Sequence, residues 1–240
     1  RQRQMCIRDR HIEEPEPPAP VTEPEKTFEE VLDEHPVSIQ VNGQWQTFPN
    51  AKAAEEASYE EYKANLRRNA KNFRITDEHL GEGGPKAKFQ ANVNAIRLLK
   101  ELEAAGQQAS PEQQEVLSRY VGWGGLSDAF DPEKPAWALE YAQLKELLTP
   151  EEYAAARSST LNAHYTSPTV IQAIYEAVNR MGFETGNILE PSMGVGNFFG
   201  MLPEKMRNSR LYGVELDPVS GRIAKQLYPK ADITVGGFET

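Results

Sequence analysis

Apolar positions along this chain switch between a period of two and a period near 3.6, and the switches mark out its elements. Val37, Ile39 and Val41 alternate with polar residues, Asn42-Gly43 follows, and Trp45, Thr47 and Phe48 continue the run. Alternation on both sides of Asn-Gly predicts a small β-hairpin, because these two residues tolerate the positive φ of a tight hairpin turn. Ala51 to about Asn72 is rich in Ala, Glu, Lys and Arg and predicts a helix. Tyr59, Tyr62 and Leu66 would share one of its faces, and Lys63, Arg67, Arg68 and Lys71 a basic one. Phe89, Val93, Ile96, Leu99 and Leu102 recur at helical spacing and stop at Gly106. Ser110-Pro111-Glu112-Gln113 supplies an N-cap, a first-turn proline and a capping-box Gln for a helix running to about Val121. Pro135 to Leu148 predicts another helix, with Trp137, Tyr141, Leu144 and Leu148 on one face. Thr149-Pro150-Glu151-Glu152 caps the next, to about Arg157.

Beyond residue 160 the pattern alternates helix and strand. Ser167-Pro168 opens a helix whose buried face would be Val170, Ile171, Ile174 and Val178, and Gly182 ends it. The strand Ile188-Leu189-Glu190 leads into a glycine loop and a Phe198-Phe199 pair that opens a short helix. Leu211 to Leu216 is the next strand, Asp217-Pro218 caps a helix to about Tyr228, and Asp232 to Val235 is the last strand. This order predicts an α/β fold with a parallel, doubly wound sheet, in which ligands bind at the carboxyl ends of the strands.

Composition refines the boundaries. Residues 1–10 read as an assembly scar, and His11 to about Pro36 is rich in Pro and Glu with too few apolar residues to offset ordering entropy. The expected organisation is a disordered or artefactual stretch over 1–36, a helical region with the hairpin over 37–160, and an α/β ligand-binding half-domain over 161–240. The net charge is -10, and residues 1–50 carry half of that excess. Such a balance lacks the basic footprint of a free-standing nucleic-acid module. No run reaches the roughly 18 apolar residues of a membrane span. The single cysteine, Cys6, excludes an internal disulfide framework and a multi-cysteine zinc site. A cytoplasmic protein with no membrane and no metal partner is the expectation.

Three glycine clusters are candidates for chemistry. Gly81-Glu82-Gly83-Gly84-Pro85-Lys86 ends in Lys but lacks the rest of a P-loop, and no apolar strand precedes it. Gly122-Trp123-Gly124-Gly125 allows tight backbone geometry beside a large flat side chain. Either a buried Trp anchors a turn there, or the loop lies against a ligand. The third cluster is the loop after Glu190, with Gly194, Gly196 and Gly200. A carboxylate at the strand end would repel a pyrophosphate seated on the first glycine turn. It suits S-adenosylmethionine, which has no phosphate and carries a sulfonium and an ammonium. Glu215, at the end of the next strand, can accept both ribose hydroxyls of either kind of cofactor.

The segment from Tyr165 to Phe238 resembles the cofactor half of a class I methyltransferase, specifically the γ-type N6-adenine DNA methyltransferases. His164-Tyr165-Thr166-Ser167-Pro168 is similar to the Tyr/Thr-Pro segment before that family's first strand. Glu190-Pro191-Ser192-Met193-Gly194-Val195-Gly196-Asn197-Phe198 matches its first-strand motif, and Gly213-Val214-Glu215-Leu216-Asp217-Pro218 its second. From about residue 70 the chain also resembles the large methylase–helicase proteins of bacterial mobile elements. The resemblance implies a partial Rossmann-like methyltransferase sheet preceded by a helical region. It implies cofactor contacts at Tyr165, Thr166, Glu190, Pro191, Ser192, Gly194, Gly196, Asn197, Phe198, Glu215, Leu216 and Phe238. Thr166 would hold the methionine end, Glu190 with the Gly194 and Gly196 backbone would line the methionine pocket, Glu215 would bind the ribose, and Phe238 would pack on the adenine. One position departs: Gly237 stands where the family has an Asp that accepts from the adenine amino group, with Glu239 nearby.

The family's catalytic Asn/Asp-Pro-Pro-Tyr/Phe motif does not occur in the 240 residues. The expectation is therefore a cofactor-binding piece of a DNA adenine methyltransferase, with DNA as partner of the whole protein and helicase modules downstream, inactive alone and with no catalytic residue in this chain. The alternative is a non-catalytic DNA-handling or anti-restriction protein that keeps the methyltransferase scaffold.

Overall fold

The computed structural model describes residues 35–239. The expectations for residues 1–34 lie outside the described residues, as do the side chains of Lys63, Leu66, Arg67 and Arg68. The chain divides into two compact units, residues 1–61 and residues 62–240.

In the first unit, β1 (Val37–Val41) pairs antiparallel with β2 (Gln44–Phe48), with Val41 opposite Gln44. Asn42 and Gly43 turn the chain at φ 52° and 75°, as Asn-Gly predicts. The Asn42 amide donates to Glu61 Oε1 at 2.6 Å, in the helix α1 (Ala51–Asn69) that follows.

The second unit is mixed α/β. Helix α2 (Pro85–Ala104) buries the whole predicted stripe from Phe89 to Leu102. It packs on α3 (Pro111–Ser118), which Ser110 and Gln113 cap reciprocally. Pro135–Trp137 forms a 3₁₀ turn rather than the first turn of α4 (Ala138–Leu147). Thr149 and Glu152 box the start of α5 (Pro150–Ser159). Trp123 is buried, with Phe130, Phe89 and Tyr120 edge-on at 5.3, 6.0 and 6.3 Å. Of the two readings of the Trp-Gly-Gly turn, the buried anchor is correct for the tryptophan itself.

After α6 (Pro168–Arg180) come β3 (Asn187–Glu190), the four-residue α7 (Asn197–Gly200), β4 (Arg210–Glu215), α8 (Pro218–Leu227) and β5 (Asp232–Val235). The three strands form a parallel sheet in the order β3-β4-β5, with Glu190 beside Gly213 and Gly213 beside Ile233. On one face Val235 packs against α8, whose Gly221 lets the helix approach, since a Cβ there would lie 2.7 Å from Val235, while Gly213 is covered by Met193 of the loop after β3. The other face carries Asn187, Leu189, Arg210, Asp232 and Thr234, all exposed.

Helix α6 corrects one expectation. Ile171 and Tyr175 are buried, but Val170 is 48 % and Ile174 41 % exposed. The helix seats itself through Ile171, Tyr175 and the half-buried Val178, one turn apart, and the Tyr175 hydroxyl donates to the Phe198 carbonyl at 2.7 Å. That bond sets the rotation and turns Val170 and Ile174 outward.

Helix α8 is clamped by the helical elements before it. Arg222 reaches Glu152 at 2.5 Å and Glu103, and Glu152 also accepts from Lys100 at 2.8 Å. Gln114 donates to the Gln226 and Leu227 carbonyls, and Gln226 Oε1 accepts from the Ala109 amide. These contacts fix the helix that follows β4, and with it the strand ends where the site lies.

Candidate functional site

The parallel strands β3 and β4 end side by side in carboxylates, Glu190 and Glu215, and the glycine loop rises between them. Gly194 and Gly196 have φ of 56° and 85°, which a side chain would strain. The loop is pinned from below. Glu215 Oε2 accepts from the Gly194 amide at 2.7 Å and Oε1 from the Asp217 amide at 2.8 Å. The Met193 amide donates to the Val214 carbonyl at 3.1 Å. Glu215 thus holds both the glycine loop and the turn into α8, and each oxygen keeps a second lone pair for a ligand hydroxyl.

The opposite wall comes from the helical elements. Asn92 sits fully buried among the apolar residues of α2, and both ends of its amide are used. Nδ2 donates to the Gly122 carbonyl at 2.6 Å, and Oδ1 accepts from the Val121 amide at 2.9 Å. The turn held this way backs onto the segment before α6. A Cβ at Gly122 would lie 2.6 Å from the Tyr165 ring, and one at Gly194 would lie 2.7 Å from its other side. Tyr165 is therefore gripped between two glycines that come from different parts of the chain. Its hydroxyl meets Ser220 Oγ at 3.2 Å.

Between these walls lies a cavity of about 410 Å³. Nine of the twelve expected cofactor residues line it. Tyr165 and Thr166 come from the segment before α6, Glu190, Ser192, Gly194, Asn197 and Phe198 from the first loop, and Glu215 and Leu216 from the end of β4. Three do not. Gly196 is buried behind the loop against Tyr228, Pro191 is exposed outside the lining, and Phe238 is 61 % exposed beyond the end of β5. Sequence reasoning missed the helical side of the cavity, where Tyr120, Ser158, Ser159, Asn162 and His164 line it, and it missed Asp217 and Ser220 at the start of α8. Only the Gly122–Gly125 cluster hinted at that side. A second cavity of about 320 Å³ adjoins the first and shares Tyr165, Thr166, His164 and Asn197 with it.

Carboxylates dominate the site's electrostatics. Glu190, Glu215 and Asp217 line the cavity, and among the described residues no Lys or Arg side chain does. Burial, helped by the neighbouring Glu215 charge, pushes the Glu190 carboxyl up to about 8. Its Oε2 is buried and has no hydrogen-bond partner among the described residues. Asp217 Oδ2 accepts from the Ser220 amide at 2.8 Å and from the Ser220 hydroxyl, while Oδ1 is buried without a partner. Burial raises the Tyr165 phenol well above its ordinary range, and the Asp217 and Glu215 charges act in the same direction. An acid kept neutral for want of a counter-charge favours a ligand that brings a positive charge and disfavours a phosphate. Among the described residues no group of three or more His, Cys, Asp or Glu side chains is placed to hold a metal ion, and no helix is long and apolar enough to cross a membrane.

Two curated proteins resemble the chain. The first, Defense against restriction protein B of Escherichia phage P1, is 25% identical over 159 residues, which is 66% of this chain and 6% of that protein. The second, Type II methyltransferase M.CvrRI of Paramecium bursaria Chlorella virus XZ-6E, is 36% identical over 76 residues, 32% of this chain and 19% of the enzyme. The chain thus spans only a small part of either relative. No family model matches it, and no solved structure matches it significantly.

Proposed function

We propose that residues 62–240 form the S-adenosylmethionine-binding part of a DNA methyltransferase, with β3 to β5 as the first half of a Rossmann-like sheet. The observation that carries this reading is the cavity at the strand ends, lined by Glu190, Glu215 and Asp217 and, among the described residues, by no Lys or Arg side chain. The residues present fit the cofactor. Glu190, whose buried Oε2 has no partner among the described residues, would face the sulfonium and ammonium end. Thr166 and Asn197 would serve the amino-acid end, Glu215 would accept from the ribose, and Leu216 would flank the adenine, while Phe238 lies outside the cavity. When bound, the cofactor supplies an activated methyl group. The similarity to a viral type II methyltransferase over 76 residues supports the same reading. Adenine-N6 as the target atom, DNA as the partner, and coupling to helicase modules are the finer parts of the proposal and rest on the sequence motifs.

The second reading, a DNA-handling or anti-restriction protein that retains the scaffold, draws support from the phage relative, whose similarity runs over two-thirds of this chain. Titration calorimetry tests what the two readings share. The chain should bind S-adenosylmethionine and not NAD. Preference for NAD, or no binding of either, would sink the cofactor assignment. Methyl transfer from labelled cofactor to DNA by the parent protein then separates the enzyme from the scaffold.

A further inference from the structure

The cofactor reading gives no role to the wall built by the Trp-Gly-Gly turn and the end of α5. That wall is constructed closely. A Cβ at Gly124 would lie 2.0 Å from the Ala163 carbonyl oxygen and 3.2 Å from His164 Nδ1, so only glycine lets the turn sit against this segment. The Gly125 amide donates to the Thr160 carbonyl at 3.1 Å, and the His164 amide to the Asn162 carbonyl at 3.1 Å. Asn92 holds the same turn from the core side. The backbone at His164 is therefore fixed from both directions.

The His164 side chain is exposed, lines both cavities, and makes no hydrogen bond or ion pair among the described residues. Its Nδ1 faces Gly124, which leaves Nε2 as the nitrogen able to reach into the larger cavity. The three carboxylates lie on the strand-end side. A ligand carrying both signs of charge must put its anionic group away from them. Polar side chains at the mouth shared by the two cavities include Thr166, Asn197 and the His164 imidazole, none of them a carboxylate.

We propose that His164 is a ligand-contact residue of this site, its imidazole donating to the carboxylate of an amino-acid moiety. This deepens the cofactor reading and rests on it. The test is calorimetry on the 240-residue chain, wild type and His164→Ala, with S-adenosylmethionine and with its decarboxylated analogue, which keeps the sulfonium, amine and nucleoside. A hydrogen bond to a charged group predicts about tenfold weaker binding of S-adenosylmethionine by the variant, and an effect under about twofold on the decarboxylated ligand. Equal losses for both ligands, or no loss for S-adenosylmethionine, would overturn the assignment. If wild type binds neither ligand, the cofactor reading itself fails and the His164 contact falls with it. Because His164 is exposed, the variant should keep the wild-type thermal midpoint.

Discussion

Glu190→Gln tests the electrostatic logic of the site without any ligand. The carboxyl is pushed from 4.5 in the free side chain up to about 8 by burial and by Glu215. Between these values the folded protein holds a proton that the unfolded chain has released. Stability therefore falls as pH rises through this window, and levels off above about 8. At about 1.4 kcal/mol per unit, the full cost is on the order of 5 kcal/mol above pH 8 and roughly 3 kcal/mol at pH 7. Glutamine keeps the shape and removes the titration. Urea unfolding of both proteins at pH 5 and pH 8.5 reads the difference directly, since the other titrating groups are common to both. The variant should match wild type near pH 5 and exceed it by a few kcal/mol at pH 8.5. Parallel pH profiles would refute the placement of Glu190 in a largely desolvated, acid-flanked position. The same proton has a binding signature. At pH 7 a cationic ligand should displace a proton from wild type, read from calorimetry in buffers of different ionisation enthalpy, and none from Glu190→Gln.

Other consequences follow from specific contacts. Glu215→Ala frees the amides of Gly194 and Asp217, so it should lower stability by about 1–3 kcal/mol and weaken cofactor binding; unchanged affinity would remove the ribose contact. Gly194→Ala drives a methyl into the Tyr165 ring at a positive φ, and a thermal midpoint equal to wild type would show that the ring is not gripped there. Asn92→Ala leaves the Val121 amide and the Gly122 carbonyl without their partners, and chemical denaturation should report a loss of about 2–4 kcal/mol. Arg222→Met strands Glu152, 6 % exposed, with Lys100 as its remaining cation, at a cost of about 3 kcal/mol near neutral pH. Burial raises the Glu152 carboxyl, but its bonds to Lys100 and Arg222 outweigh that and hold it below the ordinary value. The stability it contributes is present at neutral pH and lost as acid protonates it, so the variant's acid limb should be shallower.

The elements that local chemistry dictates were legible in the sequence. Asn42-Gly43 forced a hairpin turn, Ser110 and Thr149 announced their helices through reciprocal caps, and Gly182 closed α6 at a φ of 86°. The strand-end acids and the glycine loop were readable because their spacing is fixed within one βαβ unit. The rest depends on which side of an element meets a neighbour. Val170 and Ile174 carry the same apolar signal as Ile171, and only the Tyr175–Phe198 bond decides which of them is covered. Asn92 breaks an apolar stripe, and nothing local says that its amide serves a turn 30 residues away. Ser158, Asn162 and His164 reach the cavity because α5 is anchored to α8 through Glu152 and Arg222, a contact without sequence periodicity.

Tyr165 between Gly122 and Gly194 makes three distant positions a single steric unit. Enlarging either glycine demands a smaller residue at 165, so tolerated changes at these sites should arise in combination. The relation also runs in reverse. A Tyr165→Val chain would open a slot about one phenyl ring wide, walled by two backbones and continuous with the ligand cavity. Bump-and-hole chemistry needs that arrangement: a pocket that admits a bulky ligand derivative which the unmodified protein rejects.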